Sequence, residues 1–166
     1  MLPELLAAIF LICFSISIMF FVPLIFGAPY EPSRKKRIQQ IIKLASPKRG
    51  EKMIDLGSGD GRIVAEFAKL GIESYGYEIN PWLVFYSKIR YRKLKNAHFR
   101  WRNFWRTNLN KFDIIVSFQI HYVMKKMQKK LEKELTKPTK IISEKWEFPN
   151  WKINKQEGLV KLYLRK

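Results

Sequence analysis

Glycine and acidic side chains are grouped in one short segment of the chain. The segment reads Asp55-Leu56-Gly57-Ser58-Gly59-Asp60-Gly61-Arg62, and Glu78 follows 21 residues after Gly57. Three glycines allow a sharp turn and a close approach of a ligand to the backbone. A carboxylate at the distance of Glu78 can accept hydrogen bonds from both hydroxyl groups of a ribose. Together, these features predict a site for a nucleoside cofactor.

The charges of this loop discriminate between possible cofactors. A dinucleotide-binding motif has its third glycine where this chain has Arg62. Asp55 ends a predicted strand, where it would repel a pyrophosphate and attract an ammonium group. S-adenosylmethionine contains a ribose and an ammonium group but no phosphate, so the residues favour it over a dinucleotide. The alternative is a tight structural turn with an unrelated glutamate.

Strands and helices alternate around this loop. Apolar runs predict strands at 52–56, 74–78, 98–101, 112–118 and 140–145. Helical spacing predicts helices at 34–45, 62–70 and 81–94 and an amphipathic helix through Met124, Met127, Leu131 and Leu135. The tail, with residues 151–153 and 159–164 around Gly158, predicts a closing antiparallel hairpin. This order predicts an α/β fold with a mostly parallel sheet and helices on both faces.

Capping residues support the predicted helix boundaries. Ser33 is placed to cap the first of these helices, and Asn80 followed by Pro81 is typical of a helix start. Gly71 is placed just beyond the end of the helix that follows the glycine loop, where a left-handed residue is common.

The N-terminal part has a different composition. No charged residue occurs from Leu5 to Phe26, a run of 22 residues. As a helix, this run would be roughly 33 Å long, against a hydrocarbon core of about 30 Å. No lysine or arginine precedes it and it is longer than a typical signal-peptide core, so we expect a transmembrane helix rather than a signal peptide or a buried core helix. The predicted organisation is a membrane anchor at 1–28 and a catalytic domain at 29–166.

The remaining chain is strongly basic. The whole chain has a net charge of +18, and because Glu4 is the only charged residue before residue 29, the rest carries +19. The basic run Arg34-Lys35-Lys36-Arg37 follows the apolar segment, so the positive-inside rule predicts a single-pass protein with its domain in the cytoplasm. A hydrophobic content of 47% excludes a disordered tail, and one cysteine excludes an intrachain disulfide. Two histidines without clustering predict no metal site.

Several stretches resemble a known family. DLGSGDGR followed by YGYEINPWLV resembles the class I methyltransferases that use S-adenosylmethionine. The chain is also similar to the archaeal broad-specificity protein lysine methyltransferase and to the mitochondrial lysine methyltransferases of the ATP synthase c-subunit and the adenine nucleotide translocase. The stretches that carry this similarity are Pro29-Tyr30-Glu31-Pro32-Ser33, Asn103-Phe104-Trp105 and Phe148-Pro149-Asn150-Trp151. The resemblance implies a seven-stranded Rossmann-like sheet and protein-lysine N-methylation. The glycine motif is shared widely, so lysine specificity rests on the other stretches.

The predicted cofactor-binding residues come from the loop, the second strand and the segment after the third strand. They are Asp55, Gly57, Ser58, Gly59, Asp60, Gly61, Arg62, Glu78, Ile79, Asn103 and Phe104. The resemblance implies that Asn103 contacts the adenine amino group and that Phe104 packs on the ring. The alternative for these last two residues is a surface turn.

Candidates for the acceptor channel are fewer. Tyr30, Ser33, Phe118 and Gln119 are expected there by resemblance or by position after the fourth strand. A plain linker is the alternative for the first two. The chain has no Asn-Pro-Pro-Tyr motif after that strand, and His121 is interpreted as an ordinary helix-start residue rather than a proton acceptor.

The partners follow from the charge pattern. Residues 100–106 alternate arginine with aromatic residues, which suits either RNA stacking or an anionic lipid surface. The apolar N-terminal run favours the lipid. We therefore expect a membrane-anchored methyltransferase for lysines of membrane or membrane-associated proteins. The alternatives are an RNA methyltransferase and a non-catalytic anchored adaptor that retains the fold.

Overall fold

The computed structural model describes residues 2–26 and 33–165, with side chains for all of these except 16 and 18–26. The helices are α1 (Leu2–Phe26), α2 (Lys35–Ala45), α3 (Arg62–Lys69), α4 (Pro81–Arg90) and α5 (His121–Glu134), with a short 3-10 turn at Phe104–Arg106. The strands are β1 (Lys52–Leu56), β2 (Glu73–Glu78), β3 (Ala97–Trp101), β4 (Ile114–Ser117), β5 (Thr139–Glu144), β6 (Lys155–Glu157) and β7 (Val160–Arg165).

The strands form one seven-stranded sheet in the spatial order β3-β2-β1-β4-β5-β7-β6. The first five run parallel, whereas β7 pairs antiparallel with both β5 and β6. This confirms the predicted Rossmann-like class I methyltransferase sheet and its closing hairpin. The strand order reverses between β1 and β4, and ligands of doubly wound sheets bind at the carboxyl ends of the strands at this point.

Helices cover both faces of the sheet. Alternate residues of a strand point to opposite faces. Met53 and Ile114 pack with Phe67 of α3 in one buried cluster. Their chain neighbours belong to the opposite cluster, where Ile54 packs with Leu131 of α5. Both faces are therefore apolar and closed, as the short continuous apolar runs of β1 and β4 predict.

Two of the three predicted capping residues, Asn80 and Gly71, lie where they were predicted, and Ser33 does not. Asn80 Oδ1 accepts hydrogen bonds from the N–H groups of Trp82 (3.0 Å) and Leu83 (3.4 Å), which confirms the predicted start of α4. Gly71 has a φ of 80°, as a residue beyond a helix end requires. The prediction for Ser33 was wrong. Arg34 occupies the cap position of α2, and the Ser33 hydroxyl donates instead to Glu144 Oε2 at 2.7 Å.

Two predicted boundaries also need correction. Helix α4 ends at Arg90, and a turn follows in place of the expected continuation to residue 94. In the C-terminal hairpin, the first strand is β6 rather than 151–153. Trp151 packs 4.5 Å from the ring of Phe148, and its Nε1 donates to Glu132 Oε1 at 2.7 Å. These core contacts hold this segment against α5 and away from the edge of the sheet.

Helix α1 contains the apolar N-terminal run. Over the helical residues whose side chains the structure describes, no helix is both long enough and apolar enough to cross a membrane.

Gly61 and Gly71 provide a matched test of packing at the two ends of α3. Both have positive φ values, 78° and 80°. A Cβ atom at Gly61 would lie 2.4 Å from Cε1 of the buried Phe99 ring, whereas at Gly71 nothing lies within 4 Å.

We expect Gly71→Ala to lower the free energy of unfolding by about 1–2 kcal/mol, the cost of a left-handed conformation for alanine. Gly61→Ala should cost about 1–3 kcal/mol more, because the Phe99 ring must move. Urea unfolding of both variants measures the difference. Equal losses would contradict the packing described for Phe99.

Candidate active site

Backbone hydrogen bonds hold the glycine loop against the end of β2. The N–H groups of Gly57 and Ser58 both donate to the Tyr77 carbonyl oxygen, at 2.8 and 3.2 Å. Gly61 N–H donates to the Ser58 carbonyl oxygen at 2.9 Å. Gly57, Gly59 and Gly61 all have positive φ values, of 86°, 54° and 78°. The loop therefore has a defined left-handed path that glycine adopts without strain.

Glu78 lies at the carboxyl end of β2, as predicted, and is 8% exposed. Its carboxylate accepts hydrogen bonds from the N–H groups of Gly59 (2.9 Å), Ile79 (2.7 Å) and Asn80 (2.9 Å). A carboxylate offers about four lone-pair positions, so it retains capacity for a ligand hydroxyl. Glu78 thus holds the glycine loop and the start of α4 in place.

Asp60 and Arg62 form a two-point ion pair. Arg62 Nε donates to Asp60 Oδ1 at 2.9 Å, and its Nη2 donates to Oδ2 at 2.7 Å. Burial by itself would raise the pKa of Asp60, but the hydrogen bonds and charge of Arg62 outweigh it and lower the pKa below its ordinary value. The same guanidinium donates through Nη1 to the Ser33 carbonyl oxygen at 3.1 Å. Arg62 therefore joins the glycine loop to the segment before α2.

Glu144 is a site residue that sequence reasoning missed. It ends β5, is 1% exposed, and accepts hydrogen bonds from the Ser33 hydroxyl and from Arg37 Nη1. The available signal was the polar end of this strand, Ser143-Glu144, after an apolar run. Glu144 fixes the start of α2 at the carboxyl edge of the sheet.

Asp55 completes a group of four acidic residues at this edge. It lies near the end of β1 and is 3% exposed. Burial, followed by the charges of Glu78, Glu144 and Asp60, raises the pKa of Asp55 to about 8. A ligand ammonium group near Asp55 would favour its ionised form, whereas a pyrophosphate would add to the repulsion. The residues therefore fit S-adenosylmethionine and do not fit a dinucleotide.

Two unpaired polar atoms lie at the end of β4 and directly after it, where the acceptor was expected. Ser117 Oγ and Gln119 Oε1 are buried, and neither has a hydrogen-bond partner among the described residues. Gln119 Nε2 donates to the Leu56 carbonyl oxygen at 2.8 Å, which places this side chain beside the end of β1. Phe118, between them, is half-buried. Buried acceptors normally have partners, so these two atoms mark a position for a polar ligand group.

Asn103 and Phe104 lie beside the end of β2, because Arg102 N–H donates to the Glu78 carbonyl oxygen at 3.0 Å. Asn103 Oδ1 accepts from Trp105 N–H at 2.9 Å and caps the short 3-10 turn. Phe104 is 8% exposed and belongs to the cluster on the α5 face. Their contacts with an adenine remain predictions.

Two other candidates are Tyr30 and His121. Tyr30 is outside the described residues. His121 begins α5, is exposed, and has its ring 5.3 Å from that of Trp146. Over residues 2–26 and 33–165, no three or more His, Cys, Asp or Glu side chains are placed to hold a metal ion.

This strand order, with a glycine loop and acidic residues where the order reverses, defines a class I methyltransferase. Residues 55–155 match the family described as the ANTKMT methyltransferase domain, and the chain belongs to this family. The family assignment confirms the predicted resemblance and the predicted methyltransferase class, whose methyl donor is S-adenosylmethionine.

Individual relatives agree with the assignment. The human lysine N-methyltransferase of the ATP synthase c-subunit is 38% identical over 128 residues, which cover 74% of this chain and 54% of that protein. A protein-lysine N-methyltransferase of Saccharolobus islandicus (strain REY15A) is 28% identical over 128 residues, covering 74% of this chain and 80% of the relative. The chain spans about half the length of the vertebrate c-subunit methyltransferases that it matches.

A solved structure has the same fold. The crystal structure of an RNA methyltransferase from Salinibacter ruber in complex with S-adenosyl-L-homocysteine has a TM-score of 0.74 and 24% identity, and the match covers 81% of this chain and 92% of that one.

Changing Glu78 tests the predicted ribose contact. We expect Glu78→Ala to weaken S-adenosylhomocysteine binding by about 10- to 100-fold, because each charge-assisted hydrogen bond is worth about 1.5–3 kcal/mol and water replaces it in part. Glu78→Gln, which keeps one acceptor oxygen, should lose less. Isothermal titration calorimetry measures the affinities, and circular dichroism verifies the fold. Unchanged affinity in a folded Glu78→Ala protein would rule out the ribose contact.

The raised pKa of Asp55 predicts how stability depends on pH. Folding raises this pKa from 3.8 to about 8, so the stabilisation from the neutral carboxyl group is complete below about pH 4 and is lost as the pH rises towards 8. Without ligand, the melting temperature should fall between about pH 5 and pH 8. Asp55→Asn should remove most of this dependence. Glu66→Gln, which makes the same charge change at a surface ion pair with Lys69, should keep it.

The affinity for the ligand should also depend on the ionisation of the Asp55 carboxyl group. If the ligand ammonium binds ionised Asp55, S-adenosylhomocysteine affinity rises with pH up to about 8, and binding below that pH releases a proton. Calorimetry in buffers of different ionisation enthalpy counts the protons released. A proton count of zero near neutral pH would contradict this role for Asp55.

Proposed function

We propose that this chain is a membrane-anchored, S-adenosylmethionine-dependent protein-lysine N-methyltransferase. The observation that carries the methyl-transfer part is the carboxyl edge of the sheet, where Glu78 holds the glycine loop and Asp55 is buried. Membership of the ANTKMT methyltransferase domain family supports this part. The names of the human and archaeal relatives support lysine as the acceptor.

When bound, S-adenosylmethionine supplies a methyl group already activated by its sulfonium centre. The protein therefore has to align the reactants and exclude water. In this proposal, the lone-pair position that Glu78 retains would accept a hydrogen bond from a ribose hydroxyl, and Asp55 would pair with the ammonium group. Asn103 and Phe104 would border the adenine. Of the other predicted binding residues, Ile79 directly follows Glu78, and the rest form the loop: Gly57, Ser58, Gly59, Asp60, Gly61 and Arg62.

The acceptor nitrogen must be neutral to attack a methyl group, so a lysine must lose a proton on entry. Removal from water lowers a lysine pKa. Phe118, which is half-buried between the buried residues Ser117 and Gln119, can supply that desolvation. Gln119 Oε1, which is unpaired among the described residues, can accept a hydrogen bond from the neutral amine and so orient its lone pair. Ser33 is held at the carboxyl edge of the sheet by its hydrogen bond to Glu144, and from there it would position the acceptor. Tyr30 remains a candidate on sequence grounds.

The membrane part of the proposal rests on the apolar run from Leu5 to Phe26. Only residues 27–32 separate this run from Ser33, and six residues reach at most about 20 Å. The catalytic domain, residues 29–166, would then stay close to the bilayer on the cytoplasmic side. Tethering raises the effective concentration of membrane-embedded acceptors, which favours lysines of membrane or membrane-associated proteins and an anionic membrane surface as partners.

Of the two other functions considered, one has specific support. The net charge of +18 would suit an RNA methyltransferase, because cations neutralise phosphates. A non-catalytic adaptor would keep the fold but not bind the cofactor. The acidic residues beside the glycine loop favour an enzyme over the adaptor, and the apolar run favours a membrane substrate over RNA.

Incubation of the full chain with methyl-labelled S-adenosylmethionine and a membrane extract tests these alternatives. We expect label in protein, resistant to nuclease, and recovered as methyl-lysine after acid hydrolysis. With S-adenosylmethionine well below its dissociation constant, Glu78→Ala should lose about 90% of this label, because cofactor occupancy then falls in proportion to a tenfold loss of affinity, whereas Glu66→Gln should keep it. Nuclease-sensitive label would favour the RNA methyltransferase. A folded chain that binds no S-adenosylhomocysteine would favour the adaptor.

A further inference from the structure

Helix α4 carries a row of exposed apolar side chains. Trp82, Phe85, Tyr86 and Ile89, called here the α4 stripe, are 62%, 59%, 46% and 48% exposed. Their spacing of i, i+3, i+4 and i+7 puts them on one face of the helix. Single exposed apolar residues are common, but four on one helical face form a contiguous patch of the kind that marks an interaction site.

A further tryptophan lies at the start of this helix. Trp101, at the end of β3, is 69% exposed, and its Nε1 donates to the Ile79 carbonyl oxygen at 2.9 Å. Because Ile79 lies two residues before the first residue of α4, the indole lies at the same end of the helix as Trp82. The patch therefore extends from α4 towards the carboxyl edge of the sheet.

The chain segment that carries the stripe is rich in cations, and the acidic side chains near it belong to other segments: Glu73, whose Oε2 lies 2.8 Å from His98 Nε2, and Asp60, which interacts with Arg90. Residues 79–112 include nine lysines and arginines and no aspartate or glutamate. Three of these cations, Lys88, Arg92 and Arg100, line a cavity of about 240 Å³ between the end of α4 and β3. Arg90 lies over the Tyr86 ring, 5.5 Å from its centroid. A row of apolar side chains bordered by cations is complementary to a surface that has an anionic outer layer over an apolar interior.

We propose that the α4 stripe docks on a bilayer that contains anionic phospholipids. The rings of Trp82, Phe85 and Tyr86 insert at the headgroup level, where aromatic side chains concentrate. Lys88, Arg92 and Arg100 bind lipid phosphates. Phe85 and Ile89 have no hydrogen-bonding group and Ile89 has no ring to stack on a base, so lipid fits the stripe better than RNA does.

This docking deepens the proposed membrane function and rests on it, because the anchor keeps the domain within reach of the bilayer. It also sets an orientation. Glu78 lies three residues before α4, so a docked α4 brings the acidic edge of the sheet next to the membrane surface. A lysine of a membrane protein could then reach this edge without leaving the headgroup region.

A nitroxide probe on the stripe tests the docking in the full chain. In a Cys13→Ser background, which removes the single cysteine, a spin label is attached at Phe85→Cys, with Tyr122→Cys on α5 as the control site (71% exposed). The protein is reconstituted in vesicles of phosphatidylcholine and phosphatidylglycerol in equal parts. Power-saturation spectroscopy then compares collisions of each label with oxygen and with a water-soluble nickel complex.

We expect the label at position 85 to favour oxygen, as an inserted site does, and the label at 122 to favour the nickel complex. In pure phosphatidylcholine, or at high salt, position 85 should return to the aqueous value while α1 keeps the protein on the vesicle. Lys88→Gln with Arg92→Gln should lower the ratio of docked to free domain about 25-fold, since each cation contributes about a fivefold factor. Lys125→Gln with Lys129→Gln, an equal charge change on exposed α5 positions, should leave it unchanged.

Several outcomes would overturn the docking. An aqueous label at position 85 in anionic vesicles would do so, as would dipolar coupling between labels, which would assign the stripe to a second copy. A label at 85 immobilised by RNA but not by anionic lipid would assign it to nucleic acid. Flotation of the same samples separates this failure from failure of the anchor, and the methyl-lysine assay separates it from failure of the proposed activity.

Discussion

Four acidic side chains brought together at one edge of the sheet are the constraint on which this structure depends. Asp55, Asp60, Glu78 and Glu144 come from different parts of the chain and are each at most 8% exposed. Buried like charges repel, so each needs its own compensation. The Asp60 carboxylate is paired with Arg62, and the Glu144 carboxylate accepts hydrogen bonds from Arg37 and Ser33. The Glu78 carboxylate accepts hydrogen bonds from three backbone N–H groups. Asp55 is compensated by retaining its proton.

These compensating contacts also hold the site together. Glu78 connects β2 to the glycine loop, Arg62 connects that loop to Ser33, and Ser33 connects to Glu144 at the end of β5. The compensating contacts therefore orient these segments, in addition to the hydrogen bonds from the Gly57 and Ser58 N–H groups to the Tyr77 carbonyl oxygen. A cationic ligand group entering this edge would relieve the remaining repulsion at Asp55. The same arrangement that stabilises the fold thus favours the class of ligand that the family uses.

The net charge of the chain hides a division into two electrostatic regions. The carboxyl edge of the sheet holds four buried carboxyl groups, whereas residues 79–112, which begin directly after Glu78, carry nine cations and no acidic residue. Exposed cations more than about 8 Å from this edge are largely screened at physiological salt, whereas buried groups close together are screened much less. The local charge at the edge is therefore set by its own carboxyl groups and their partners rather than by the net charge of the chain.

The sequence alone determined the elements, the glycine loop, Glu78 and the family, because periodicity, helix caps and glycine conformations depend on near neighbours. Strands β1 and β2 and the caps at Asn80 and Gly71 were predicted on this basis. Contacts between distant residues could not be obtained in this way: Ser33 looked like a helix cap, but its hydroxyl binds Glu144, 111 residues away. Glu144 itself gave only a weak signal, and the pattern of residues 81–94 predicted a helix without indicating which of its apolar side chains stay exposed. Tertiary structure decided these points, because only the folded sheet determines which carboxylates share a buried edge and which apolar face is left uncovered.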